Sequence, residues 1–156
     1  MARAEEIYCC FRALSAGPRK PKLPASTLGP PLLKRLGYGL LAATVKALRV
    51  HAACAYPVVV RSGRVPDTMD GFCVRRKARF VIHLDADLSP KNSVAVLIHE
   101  WAHARAWNHV LDRAAKDAAQ GLISGREFEE ICRGPAFGVE YAHCWRVFTG
   151  EVLAKG

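Results

Sequence analysis

Apolar residues return at helical spacing most regularly between Ser89 and His109. There Val94, Leu97, Ile98 and Trp101 follow the i, i+3, i+4, i+7 pattern that buries one helix face. Ser89 followed by Pro90 marks the start, because serine caps free N–H groups and proline fits the first helical position. Upstream the rhythm changes to short β-branched runs. Tyr56–Arg61 and Gly71–Arg75 read as strands, and Ala78–Leu84 is the clearest of the three. Turn residues Ser62-Gly63 and Pro66-Asp67 separate them. Helical spacing also covers Leu32 to about Ala53, with Gly37 and Gly39 working against it. After His109 the composition stays helical through Ala119 and breaks at Gly121. Ser124 and Glu127 form a capping box for a short helix ending near Gly134. Pro135 opens a last helix with the stripe Phe137, Tyr141, Cys144, Trp145 and Phe148, stopped by Gly150. Residues 1–14 suggest a short helix. Ser15–Pro31, with Pro18, Pro21, Pro24, Pro30 and Pro31, reads as an extended linker.

A chain of 156 residues with 51% apolar residues is expected to form one globular domain with a real core. The division expected is a basic, proline-rich segment over 1–31 and a folded domain over 32–156. Met-Ala-Arg-Ala-Glu-Glu leads into no apolar stretch of a signal peptide, and Leu36–Val50 is too short and too charged to span a bilayer. The expectation is a cytoplasmic protein with no membrane contact. The six cysteines form no Cys-x-x-Cys pair, which speaks against a zinc knuckle or ribbon, and buried free thiols are expected. Adjacent Cys9 and Cys10 have no role that spacing identifies.

The net charge of +9 is concentrated at the start: residues 1–50 carry nine Lys or Arg against Glu5 and Glu6. That asymmetry suggests an anionic partner, nucleic acid being the commonest. A solvated, solubilising tail explains it equally well.

The chemistry lies inside the first helix described. His99, Glu100 and His103 form His-Glu-x-x-His, and four residues make about one turn, so both imidazoles project from one face and can share a metal ion. Glu100 stands about 100° round from His99, placed to act on a water at the metal. A chance copy of the motif would be a partly exposed helix with solvated histidines. The preceding strand, the cap and the apolar face favour metal binding. A strand, a short polar turn and then this helix is the order a zincin core needs.

A catalytic zinc takes three protein ligands and leaves a position for water. His109 follows His103 by six residues, the spacing of His-Glu-x-x-His-x-x-Gly-x-x-His. The glycine that turns such a chain back is Ala106 here, and a continuing helix would carry His109 about 240° away from His103.

Val96-Leu-Ile-His-Glu-Trp-Ala-His103, preceded by the strand Phe80–Leu84 and followed by Gly134-Pro-Ala-Phe-Gly-Val-Glu-Tyr-Ala-His-Cys-Trp-Arg146, resembles the SprT-like zinc metallopeptidases, in particular their small phage-borne members. The resemblance spans roughly Asp70 to Glu151. It implies an α+β, zincin-like domain, a short mixed sheet packed on helices with the His-Glu-x-x-His helix at its centre. It also implies a zinc-dependent hydrolase, a protease that in some members acts on DNA-bound proteins. The family's third zinc ligand is a histidine just before Gly-Pro, a position held here by Arg133, which cannot lose its proton to ligate. The family's acidic residue after the proline is Ala136. Substitutes rank Cys132 first, then Glu140, then His109. Each has a plainer reading: Cys132 as a buried thiol, Glu140 hydrogen-bonded to His143, and His109 at the surface. Arg133 can instead hold a substrate carbonyl or carboxylate.

The function expected is peptide-bond hydrolysis by a zinc-activated water, with His99 and His103 as ligands and Glu100 as general base. An extended substrate would add to the edge of strand 78–84. The alternative is a degenerate zincin that binds nucleic acid or protein without catalysis.

Overall fold

The structure, a computed structural model, describes residues 7–11 and 31–155, with side chains from residue 39 onward. In chain order the elements are β1 (Ile7–Phe11), α1 (Pro31–His51), β2 (Val58–Gly63), β3 (Gly71–Arg76), β4 (Arg79–Asp85), α2 (Pro90–Ala106), α3 (His109–Ala119), α4 (Gly125–Cys132) and α5 (Pro135–Val147). A wider π-type turn, Phe148–Leu153, continues α5, so Gly150 does not stop the last helix as expected. The fold is α+β.

Lys77 and Ala78 turn the chain between β3 and β4, which pair antiparallel. On its other side β4 runs parallel to β2, giving a four-stranded mixed sheet in the order β1-β3-β4-β2. The β-branched run that made β4 the clearest strand has this cause, since Phe80, Val81, Ile82 and Leu84 are all buried. It also corrects the expectation of a substrate edge there, because β4 lies inside the sheet. The outer side of β3 is paired with β1 from Ile7 opposite Arg75 to Phe11 opposite Gly71. Residues 7–11 are therefore a strand rather than part of a helix over 1–14, and they pair into the sheet of the following domain. The remainder of 1–30 lies outside the described residues.

Helix α2 lies across the sheet. Ser89 caps it by accepting from the Asn92 N–H at 3.2 Å, with Pro90 in the first turn. The expected stripe Val94, Leu97, Ile98 and Trp101 is buried, and so are Val96, Ala102 and Ala104 round the other faces. Helix α2 is a core element packed on more than one side. Gly71 permits this approach: a Cβ there would stand 2.6 Å from Val96 Cγ1 and 2.7 Å from the His83 carbonyl oxygen. At the far end Trp101 Nε1 donates to the Ala52 carbonyl at 2.8 Å, tying α2 to the end of α1. The helix stops at Ala106, earlier than His109, because Trp107 is extended. Asn108 then caps a new helix through the N–H groups of Val110 at 2.8 Å and Leu111 at 3.2 Å.

Helix α4 begins with the capping box read from the sequence, Ser124 and Glu127 bonding each other's backbone. It packs with α3 in a small second core of Leu111, Ala114, Ala115, Phe128 and Cys132. Among the described residues no helix is long and apolar enough to cross a membrane.

Candidate metal centre

His99 and His103 leave α2 one turn apart, and their Nε2 atoms stand 3.1 Å from each other. Two nitrogens at about 2.05 Å from a tetrahedral zinc lie about 3.3 Å apart, so the pair has the bite of two ligands. The same separation suits a hydrogen bond between two neutral rings. Both rings are held neutral. Burial first, then the nearby Arg133 cation, lowers His99 to about 4. Burial, then His99, then Arg133 lowers His103 to about 3. Each imidazole therefore keeps a lone pair available at neutral pH, as a metal requires.

The enclosure comes from α5. Phe137 stacks on His103 with ring centroids 4.3 Å apart and also lies 5.0 Å from His99. Tyr141 also meets His99 edge-on, with ring centroids 5.7 Å apart. Pro135 begins α5 after Gly134, so Phe137 falls in the first turn and Tyr141 one turn later on the same side. The two rings stack on each other at 5.6 Å. The stripe read as core is thus also the cover of the imidazoles.

Glu100 is fully buried. Its charge reaches Cys73 on β3, whose thiol is pushed well above its usual range by burial, then by Glu100, Cys54 and Cys132. A carboxylate sealed in a protein core is costly, and such groups concentrate where chemistry is done. One feature fits a metal site less well. His103 Nδ1 is buried with no hydrogen-bond partner among the described residues, whereas a zinc-bound imidazole ordinarily donates its second N–H.

Among the described residues, no group of three His, Cys, Asp or Glu side chains can hold a metal. Cys132, ranked first, is buried in the second core beside Phe128. Glu140, ranked second, is ion-paired with Arg105 Nε. His143, expected as its hydrogen-bonding neighbour, instead meets the His51 carbonyl through Nε2 at 3.0 Å. His109, ranked third, is exposed at the start of α3, beyond the break at Trp107-Asn108. Arg133 caps the end of α4, exposed, and projects positive potential onto both histidines. Ala136 is exposed in the first turn of α5.

Two participants escaped the sequence reading. Phe137 sits two residues into the helix opened by Pro135, and its place in the stripe showed burial without showing its partner. Arg105 neutralises Glu140 across 35 residues, a pairing that no local pattern reports. No family model, curated protein or solved structure matches the chain.

Proposed function

We propose that this chain is a zinc-dependent peptidase of the SprT-like kind, built as a zincin-like domain. The observation that carries the proposal is the pair of neutral imidazoles with Nε2 atoms 3.1 Å apart, next in sequence to a fully buried Glu100. Zinc, when bound, supplies a Lewis acid that lowers the pKa of water and polarises a carbonyl. The chain's own groups do the rest. His99 and His103 hold the ion. Glu100 takes a proton from the attacking water and returns it to the leaving amine. Phe137 and Tyr141 exclude bulk water from the imidazoles. Arg133, exposed beside them, orients a substrate carbonyl or carboxylate. The basic residues of the first fifty positions would add an anionic partner, for which nucleic acid is the fitting class.

Arg133, standing where the family's third ligand is expected, favours a second reading, a zincin fold retained for binding. Metal analysis separates the two. Untagged protein is expected to carry about one zinc per chain, lost in the folded His99→Ala, His103→Ala double variant. Protein without any metal would sink the enzyme reading.

A further inference from the structure

Strand β2 forms one margin of the sheet, beside β4 and at the opposite end from β1. The carbonyls of Pro57 and Gly63 accept from the Phe80 and Ala86 N–H groups, each at 2.9 Å. Odd-numbered residues of β2 therefore face β4. Alternation turns the N–H and C=O of Val58, Val60 and Ser62 away from the sheet. Val58 is already engaged, since Arg49 of α1 donates through Nη2 to its carbonyl at 3.1 Å. Among the described residues no backbone bond reaches the outward groups of Val60 and Ser62. Proline or a bulge usually blunts such an edge, and β2 has neither, its register with β4 being unbroken.

Between this edge and α1 the surface opens into a groove of about 700 Å³. Leu41, Val45 and Val50 line it from the helix, and Val59 and Val60 from the strand. Val50 is 67% exposed, a large apolar side chain left to water beside an unpaired strand. The charge around the groove has one sign. Lys46 and Arg49 stand in its wall, Arg61 is exposed on the strand, and residues 31–63 contain no Asp or Glu. Among the described residues no ion pair involves these three cations. Helix α2 packs on β1, β3 and β4, so the groove lies on the margin away from the imidazoles.

We propose that this groove binds an extended acidic peptide segment of a partner protein, which adds to β2 as a further strand of the sheet. The segment's main chain meets the outward N–H and C=O groups of Val60 and Ser62. Side chains of an added strand alternate between the two faces of the sheet. Val60 shares the core face with Ile82, whereas Arg61 shares the other face with His83. Apolar side chains at every second position therefore enter the groove against Leu41 and Val45, and acids between them lie beside Arg61. An acid at the end of the segment meets the remaining N–H groups of Arg49. A second copy of this chain fits poorly, because its α1 and β2 bring the same bases and no acid. Nucleic acid fits less well too, since phosphates cannot donate to the outward carbonyls and no aromatic ring lines the groove for a base. The inference does not depend on the zinc reading.

The test is fluorescence anisotropy of the full chain with a labelled peptide of about eight residues, alternating Glu and Val. Two further peptides carry N-methyl groups, one on every Val and the other on every Glu. Only one alternate set of N–H groups faces β2, so one methylated peptide should bind about tenfold or more weakly and the other nearly as well as the parent. Ser62→Pro removes an outward N–H without touching the β4 ladder and should cost roughly fivefold. Lys46→Glu with Arg61→Glu should cost about tenfold or more near 0.1 M salt, less as salt rises. Melting temperature checks that each variant folds, and the methylated peptides need no variant at all. The His99→Ala, His103→Ala double variant should bind the peptide as the wild type does, which separates this groove from the metal centre. Absence of binding, equal affinities for the two methylated peptides, or a Lys–Val peptide bound as tightly as the Glu–Val one would overturn the proposal. A dimer in sedimentation that Ser62→Pro dissolves would give the edge to a second copy instead. Displacement of the peptide by oligothymidine would give the groove to nucleic acid, and either result overturns the assignment of a peptide.

Discussion

Helix α2 and the α4–α5 junction meet at the candidate site and are built in opposite ways. Everything α2 contributes follows from one turn of helix: two imidazoles, a buried carboxylate between them in sequence, and a seat on the sheet. The junction contributes by tertiary placement, and at the position where a third ligand is expected it brings a cation. A helix presents i and i+4 side chains together whatever surrounds it. A third ligand from another element depends on loop length, cap geometry and competing partners. Glu140 shows the competition, since Arg105 already holds it.

The largest expected effect tests whether the α2 half carries the chemistry. Glu100→Gln keeps both histidines and should keep zinc, while hydrolysis of a peptide that the wild type cleaves falls by about a hundredfold or more. Metal content and rate are measured on the same sample. Zinc lost together with activity would make Glu100 a ligand or a structural group.

Acid should weaken the metal-free protein next most strongly. Both histidines titrate lower in the folded chain than the ordinary 6.5, so the unfolded chain binds protons first. Their contribution to stability is therefore complete above about pH 6.5 and declines as pH falls toward 4. Linkage gives roughly 2 kcal/mol per histidine by pH 5, read from denaturant midpoints. Arg133→Ala removes one of the lowering causes and should make this acid loss smaller. An unchanged loss would assign the shift to burial by α2 and α5 alone.

The seat of α2 gives a smaller effect. Gly71→Ala pushes a methyl group against Val96 and the β4 backbone, and about 1–3 kcal/mol of stability should be lost. If zinc affinity falls along with stability, the helix must sit close to the sheet to hold its two ligands in place. Unchanged affinity would show that α2 carries its ligands independently of its seat.

The features legible in the sequence were the local ones. The cap at Ser89, the capping box at Ser124 and the β-branched run of β4 each rest on neighbours within a few residues. The end of α2 was less visible, because Ala106 and Trp107 suit a helix and only the Asn108 side chain, which accepts from the Val110 and Leu111 N–H groups, reveals the break. Strand β1 was hidden for another reason. Ile-Tyr-Cys-Cys-Phe is five residues long, and pairing with β3 some sixty residues later makes it a strand. The motif histidines were readable as a pair, whereas their cover by Phe137 and the engagement of Glu140 depend on how α5 crosses α2.

Arg133 is where the comparison can be broken most directly, although the energy involved is the smallest. Its guanidinium lowers both imidazole pKa values, and the same field repels a dication. Arg133→Ala removes that repulsion and adds no ligand. Arg133→His removes it and also offers a neutral imidazole from the end of α4. If the junction can reach the metal, Arg133→His should tighten zinc by about tenfold or more, the scale on which changes around a metal site act, and Arg133→Ala by less. Competition with a chromophoric chelator measures both. Equal gains would mean that only charge reaches the site and that no side chain at the end of α4 can ligate. Cys132→Ala supplies the control, because its thiol lies in the second core beside Phe128 and its loss should leave zinc in place. Release of the metal from that variant would instead make Cys132 the third ligand and leave Arg133 free to serve the substrate.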